Sequence, residues 1–89
     1  MWTVMTKPVH VIVGPLEAAT AYARHRGWKT DEFRIVTEAE ELHRLDPPSI
    51  RGIFMVKARR LGRAVYIALQ HEIESLTALW TVPVLAIAR

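Results

Sequence analysis

The stretch that decides the fold is Ile50-Arg51-Gly52-Ile53-Phe54-Met55-Val56-Lys57-Ala58-Arg59-Arg60-Leu61-Gly62-Arg63. Its apolar run Ile53–Val56 is too short for a helix and lies between Gly52 and Lys57. It predicts a strand buried on both faces, the pattern of a central strand in a parallel sheet. The chain then enters a loop carrying Lys57, Arg59, Arg60 and Arg63 with no acid among them. From Arg63 onward Ala64, Val65, Ala68, Leu69, Ile73 and Leu76 recur at helical spacing, with Glu72 and Glu74 off that stripe. A buried strand, a cationic loop and a helix start form one general way to hold an anion.

The same alternation extends in both directions. Val9-His10-Val11-Ile12-Val13 is a β-branched run ended by Gly14, hence a strand. Gly14-Pro15 turns into a helix with Leu16, Ala19, Tyr22 and Ala23 on one side, an acid early, bases late and Gly27 as its stop. Trp28 is expected to pack under the end of this helix. Phe33–Val36 is a second strand. Thr37-Glu38-Ala39-Glu40 reads as a capping box, in which Thr37 caps the helix and Glu40 reaches back. The short helix after it carries Ala39, Leu42 and Leu45 on one face, and Asp46-Pro47-Pro48 ends it. Downstream, Val82–Ala88 is a fourth strand, closing at Arg89.

Strand, helix, strand, helix, strand, helix, strand is the pattern of an α/β three-layer fold: a four-stranded parallel sheet with helices on both faces and right-handed crossovers. Two strand orders fit, 2-1-3-4 and 3-2-1-4. The third strand is the most apolar and the second the most polar, which favours 2-1-3-4, with the second strand at an edge. Pro83 makes the fourth strand the other edge, because proline cannot donate to a ladder. Residues 1–8 read as an N-terminal extension, in which Trp2 and Val4 could lengthen the sheet and Met5 is an alternative start; residues 9–89 read as one domain.

Composition narrows the function classes. The chain has 89 residues, 51% hydrophobic, with a net charge of +3 and no cysteine. Disulfides, thiolate metal sites and cysteine nucleophiles are thereby excluded, and a reducing cytoplasmic setting is expected. No apolar run approaches the ~18 residues of a membrane span, and the N-terminus does not read as a signal peptide. Charge is segregated. Six of the nine acids lie between Asp31 and Asp46, whereas Arg51, Lys57, Arg59, Arg60 and Arg63 fall in an acid-free segment.

Ligands of open parallel sheets bind beyond the carboxyl ends of the strands, where the order reverses. For 2-1-3-4 this places Gly14, Thr37, Lys57, Arg59, Arg60 and Arg63 around one crevice, a candidate site for phosphate or nucleic acid. The turn after the first strand has neither the dinucleotide glycines nor a phosphate-loop pattern, and Glu17 there would repel a phosphate. The acids of a receiver domain are also missing, since Gly14 and Lys57 stand in their places. His10 is expected to be half-buried and hydrogen-bonded. His25, His43 and His71 are expected at the surface, with no carboxylate at a useful offset. No catalytic pair, metal site or cofactor is read from the residues. The rival surface is the apolar fourth strand: Val82 and Val84 on an open edge invite a second strand from a partner or another copy. Trp80 would anchor such a contact if exposed, and is otherwise expected to finish the core.

The run Val9-His10-Val11-Ile12-Val13-Gly14, a helix ending His25-Arg26-Gly27, then Phe33-Arg34-Ile35-Val36-Thr37 and a short acidic helix resemble small Rossmann-like accessory proteins of actinobacterial phages. The resemblance covers residues 9–57. It implies a non-structural phage protein without an established enzymatic role, acting on a host protein or on nucleic-acid metabolism. It carries no functional residue, and Lys57-Ala58-Arg59-Arg60 stands where such proteins have an acid or a small polar residue. The leading expectation is thus a non-enzymatic interaction protein, engaging a host protein or a second copy through the fourth-strand edge, or a protein partner through the basic loop. The alternative is a phosphate or nucleic-acid binder using the basic loop.

Overall fold

A computed structural model describes residues 7–88. The expectations for Trp2, Val4, Met5 and Arg89 lie outside the described residues. The elements keep the anticipated alternation: β1 (Val9–Val13), α1 (Leu16–Arg26), β2 (Phe33–Val36), α2 (Ala39–His43), β3 (Ile50–Val56), α3 (Arg63–Trp80) and β4 (Val84–Ala88). Short 3-10 turns at Pro47–Ser49 and Ala58–Leu61 flank β3. All strand pairs are parallel and the order is β2-β1-β3-β4.

The order explains the layers. The chain moves one way from β1 to β2 and the opposite way from β2 through β3 to β4. Crossovers of one hand therefore put α1 on one face and α2 with α3 on the other. Under α2 and α3, Val11, Val13, Val36, Ile53 and Met55 pack against Leu42, Leu69, Ile73 and Leu76. Under α1, Ile12 and Val56 pack against Ala19 and Ala23, with Tyr22, Trp28 and Phe33 around them. β3 is longer than its apolar run because Ile50 already pairs with Val9; sheet pairing, not hydrophobicity, sets that end. β4 is shorter than expected. Its first two residues, Val82 and Pro83, belong to the connection, where the Val82 N–H donates to the Leu76 carbonyl (3.3 Å).

Two local closures fix the ends of the first two helices. Gly27 takes a left-handed conformation (φ 73°) and its N–H donates to the Arg24 carbonyl, while the Trp28 N–H reaches back to Ala23. This Schellman-type ending swings Trp28 under the helix. At α2 the expected capping box is replaced. The Thr37 N–H and hydroxyl both donate to Glu41 (3.2 and 2.8 Å), and Glu40 instead pairs with Arg44. The helix starts at Ala39, so Glu41, not Glu40, is the residue one turn in that can face back.

Candidate functional site

The most distinctive surface is the outer edge of β4. Among the described residues β4 pairs only with β3, and between Val84 and Ala88 it has no charged side chain. A register irregularity occurs where Val84 pairs with Ile53 and Ala86 with Phe54, so Leu85 is the extra residue of a bulge. Leu85 lies over Gly52, where a Cβ would collide with its side chain. Ile87 pairs with Met55 on the α3 side of the sheet. The strand therefore shows apolar side chains on both faces: Val84 is 37% exposed, Leu85 55% and Ile87 67%.

Beside its C-terminal end is a cavity of about 420 Å³ lined by Met55, Lys57, Arg59, Arg60, Tyr66 and Ile87. Lys57 is left-handed (φ 50°) and its N–H donates to Ala88 (2.7 Å), which turns the chain off β3 into Ala58–Leu61. A non-glycine residue in that region is uncommon. The Arg59 guanidinium lies 5.6 Å from the centre of the Tyr66 ring. Three cations and an aromatic floor make this cavity suited to an anion with an apolar body.

The anticipated crevice between β1 and β3 does not form around the anticipated residues. At Gly14 a Cβ would collide with the Val56 carbonyl oxygen, so the two backbones meet there. Thr37 comes directly after the opposite edge strand and is held by Glu41. Arg63 is exposed as the first residue of α3 and does not line the cavity. Of the six residues grouped from sequence, only Lys57, Arg59 and Arg60 share a site. Tyr66 and Ile87 join them; Tyr66 was hidden in the sequence by a helical stripe that accounted for its neighbours.

The edge residues also sort differently from expectation. Val82 is 4% exposed and packs with the α2–α3 core, so it is removed from any contact surface. Trp80 is 55% exposed at the end of α3 and does not finish the core. Its place there is taken by Val82, because Thr81 turns left-handed (φ 54°) and tucks the next residue inward.

A second cluster lies beneath α1. His10 stacks on Trp28 (centroids 4.0 Å, 8° between planes), and its ring meets that of Phe54 in a T-shaped arrangement with centroids 5.6 Å apart. Arg26 extends over the Trp28, Phe54 and Tyr22 rings at 4.9 to 5.7 Å. The expected hydrogen bond of His10 is not found at Nδ1, which is buried without a partner among the described residues. Burial, then the charges of Arg51 and Arg26, hold the His10 pKa below its ordinary 6.5, against an opposing pull from Glu32. His43 lies at the surface as expected, and there its Nδ1 meets Glu72 of α3 at 3.2 Å. That partner is 29 residues away, beyond any local offset.

No group of acids and histidines able to hold a metal occurs among the described residues, and no helix there is long and apolar enough to cross a membrane. Comparison with known protein families, with curated proteins and with solved structures finds no match.

Proposed function

We propose that this chain is a non-enzymatic interaction protein that binds a protein partner by adding a strand to the outer edge of β4. The observation that carries this is the uncharged edge strand exposing Val84, Leu85 and Ile87. Free sheet edges are ordinarily blunted with charge, covered or closed, because their unpaired N–H and C=O groups recruit other strands. Main-chain bonds would supply attachment and the alternating side chains selectivity. The resemblance to phage accessory proteins implies a role of the same kind. A photo-crosslinking residue in place of Ile87, with one in place of Arg34 on the opposite edge as control, tests it. Nuclease- and salt-resistant protein adducts at the first site and not the second support the reading; equal adducts, or none, overturn it.

The cavity at Lys57, Arg59, Arg60 and Tyr66 favours a second reading, a small anionic ligand with an apolar part. There R59E/R60E would abolish a salt-dependent nucleotide or phosphate affinity. Titration of the unsubstituted chain showing no such affinity removes this reading and leaves the first intact.

A further inference from the structure

We infer that the strand added to β4 is β4 of a second copy, paired antiparallel about a two-fold axis at Ala86, so that Arg63 of each copy faces Glu74 of the other. This rests on the edge reading above and names its partner. Isologous contacts of this kind are the commonest way for a chain to close on itself.

The geometry of α3 along β4 carries the inference. Tyr66 and Ile87 line the same cavity, and the Thr77 hydroxyl donates to the Val82 carbonyl (3.1 Å). The two elements are therefore in step at both ends. From Tyr66 to Thr77 the helix rises about 16 Å, and the chain from Ile87 back to Val82, through β4 and the connection before it, covers at most about 16 Å. Ala86 is then level with Ala68, the midpoint between Arg63 and Glu74. On the helix Tyr66 and Thr77 mark the side toward β4, and Arg63, Gln70 and Glu74 share it at spacings of three to four residues. Glu72 points the other way, to His43 of α2.

A two-fold axis through Ala86 exchanges the ends of this stripe. Each Arg63 comes opposite the partner's Glu74, and neither residue has an ion pair among the described residues of its own chain. The same operation brings the exposed Leu79–Trp80 end of one α3 toward Arg59, Arg60 and Tyr66 of the other copy, an aromatic side chain toward a cationic, aromatic-floored cavity. About Ala86, Ile87 pairs with the partner's Leu85 and Ala88 with its Val84, so the apolar exposed side chains of the two edges meet, and Pro83, which has no N–H to donate, falls outside the paired residues. A parallel pairing of the same two edges needs a two-fold axis along the strands, which sets the two α3 helices on opposite faces of the sheet and forms no Arg63–Glu74 contact.

Sedimentation equilibrium over a wide concentration range tests the inference. The expected result is a mass of twice the 10.2 kDa chain. I87K, at an exposed position, keeps the circular dichroism of the folded chain and sediments as a monomer. R63E raises the dissociation constant several-fold, and adding E74R to it restores dimerisation. A chain that stays monomeric at millimolar concentration overturns the second-copy inference, and the crosslinking experiment still decides the edge reading. A dimer untouched by I87K is made through another surface and also overturns the second-copy inference, with the crosslinking experiment again deciding the edge reading. A dimer lost in I87K but indifferent to R63E overturns the two-fold placement.

Discussion

The two edges of this sheet are built oppositely. β2 is four residues long, exposes Arg34 in its middle, and leads directly into Thr37 and the acidic α2. β4 has no charge along its length and leaves Leu85 and Ile87 more than half exposed. Between them, the runs Val11–Val13 of β1 and Ile53–Val56 of β3 are alike, buried and apolar. One edge carries the charge that keeps an edge strand solitary, and the other lacks it. The contrast teaches that the two edges differ in protection: charge guards β2, and β4 lacks that guard.

The largest effect should come from the strands that hold both edges in one sheet. G14A drives a methyl group into the Val56 carbonyl, where backbone meets backbone, and should cost about 3 kcal/mol or more. For a domain with roughly 5–15 kcal/mol in total, urea titration followed by circular dichroism should show a much earlier midpoint; an unchanged midpoint would mean that β1 and β3 part easily.

Next comes an exchange of edge character. R34V gives β2 the uncharged exterior of β4, so each chain then offers two adhesive edges and association no longer closes. Light scattering should detect species larger than a dimer, and a particle size equal to that of the unsubstituted chain would show that charge is not what protects β2. G52A is milder. The atom it meets is the end of the Leu85 side chain, which can move, so a loss of about 1 kcal/mol is expected in thermal melts. A loss as large as that of G14A would show Leu85 to be locked in place.

The smallest effect concerns His10. Its pKa is lowered on folding, so the unfolded chain binds the proton more readily. Stability from this group is fully present above pH 6.5, its ordinary value, and declines as the pH falls from there through the folded-state value. H10F should flatten the melting temperature over that window; an equally steep profile in the variant would assign the pH dependence to other groups.

The sequence showed most of the fold and little of the candidate site. Strand order was readable because burial on both faces requires continuous apolar runs, as in Ile53–Val56, whereas an edge tolerates Arg34 or Pro83. The cationic residues were also visible, but their grouping was not. The strand order puts Gly14 and Thr37 at the same end of the sheet as Lys57, but the close approach of two backbones at Gly14 and the bonds of Thr37 to Glu41 keep both out of the cavity. Val82 and Trp80 exchanged roles because one left-handed residue, Thr81, reversed which of them turns inward.

Local pattern was thus sufficient for what depends on short-range periodicity and on the strength of apolar burial: the seven elements, their alternation, the parallel sheet and its order, and the uncharged fourth strand. Where side chains from distant segments meet depends on register, bulges and turn conformation, which a linear pattern does not contain. The His10–Trp28 stack, the His43–Glu72 pair, the closed Gly14–Val56 approach and the alignment of α3 with β4 were all decided at that level.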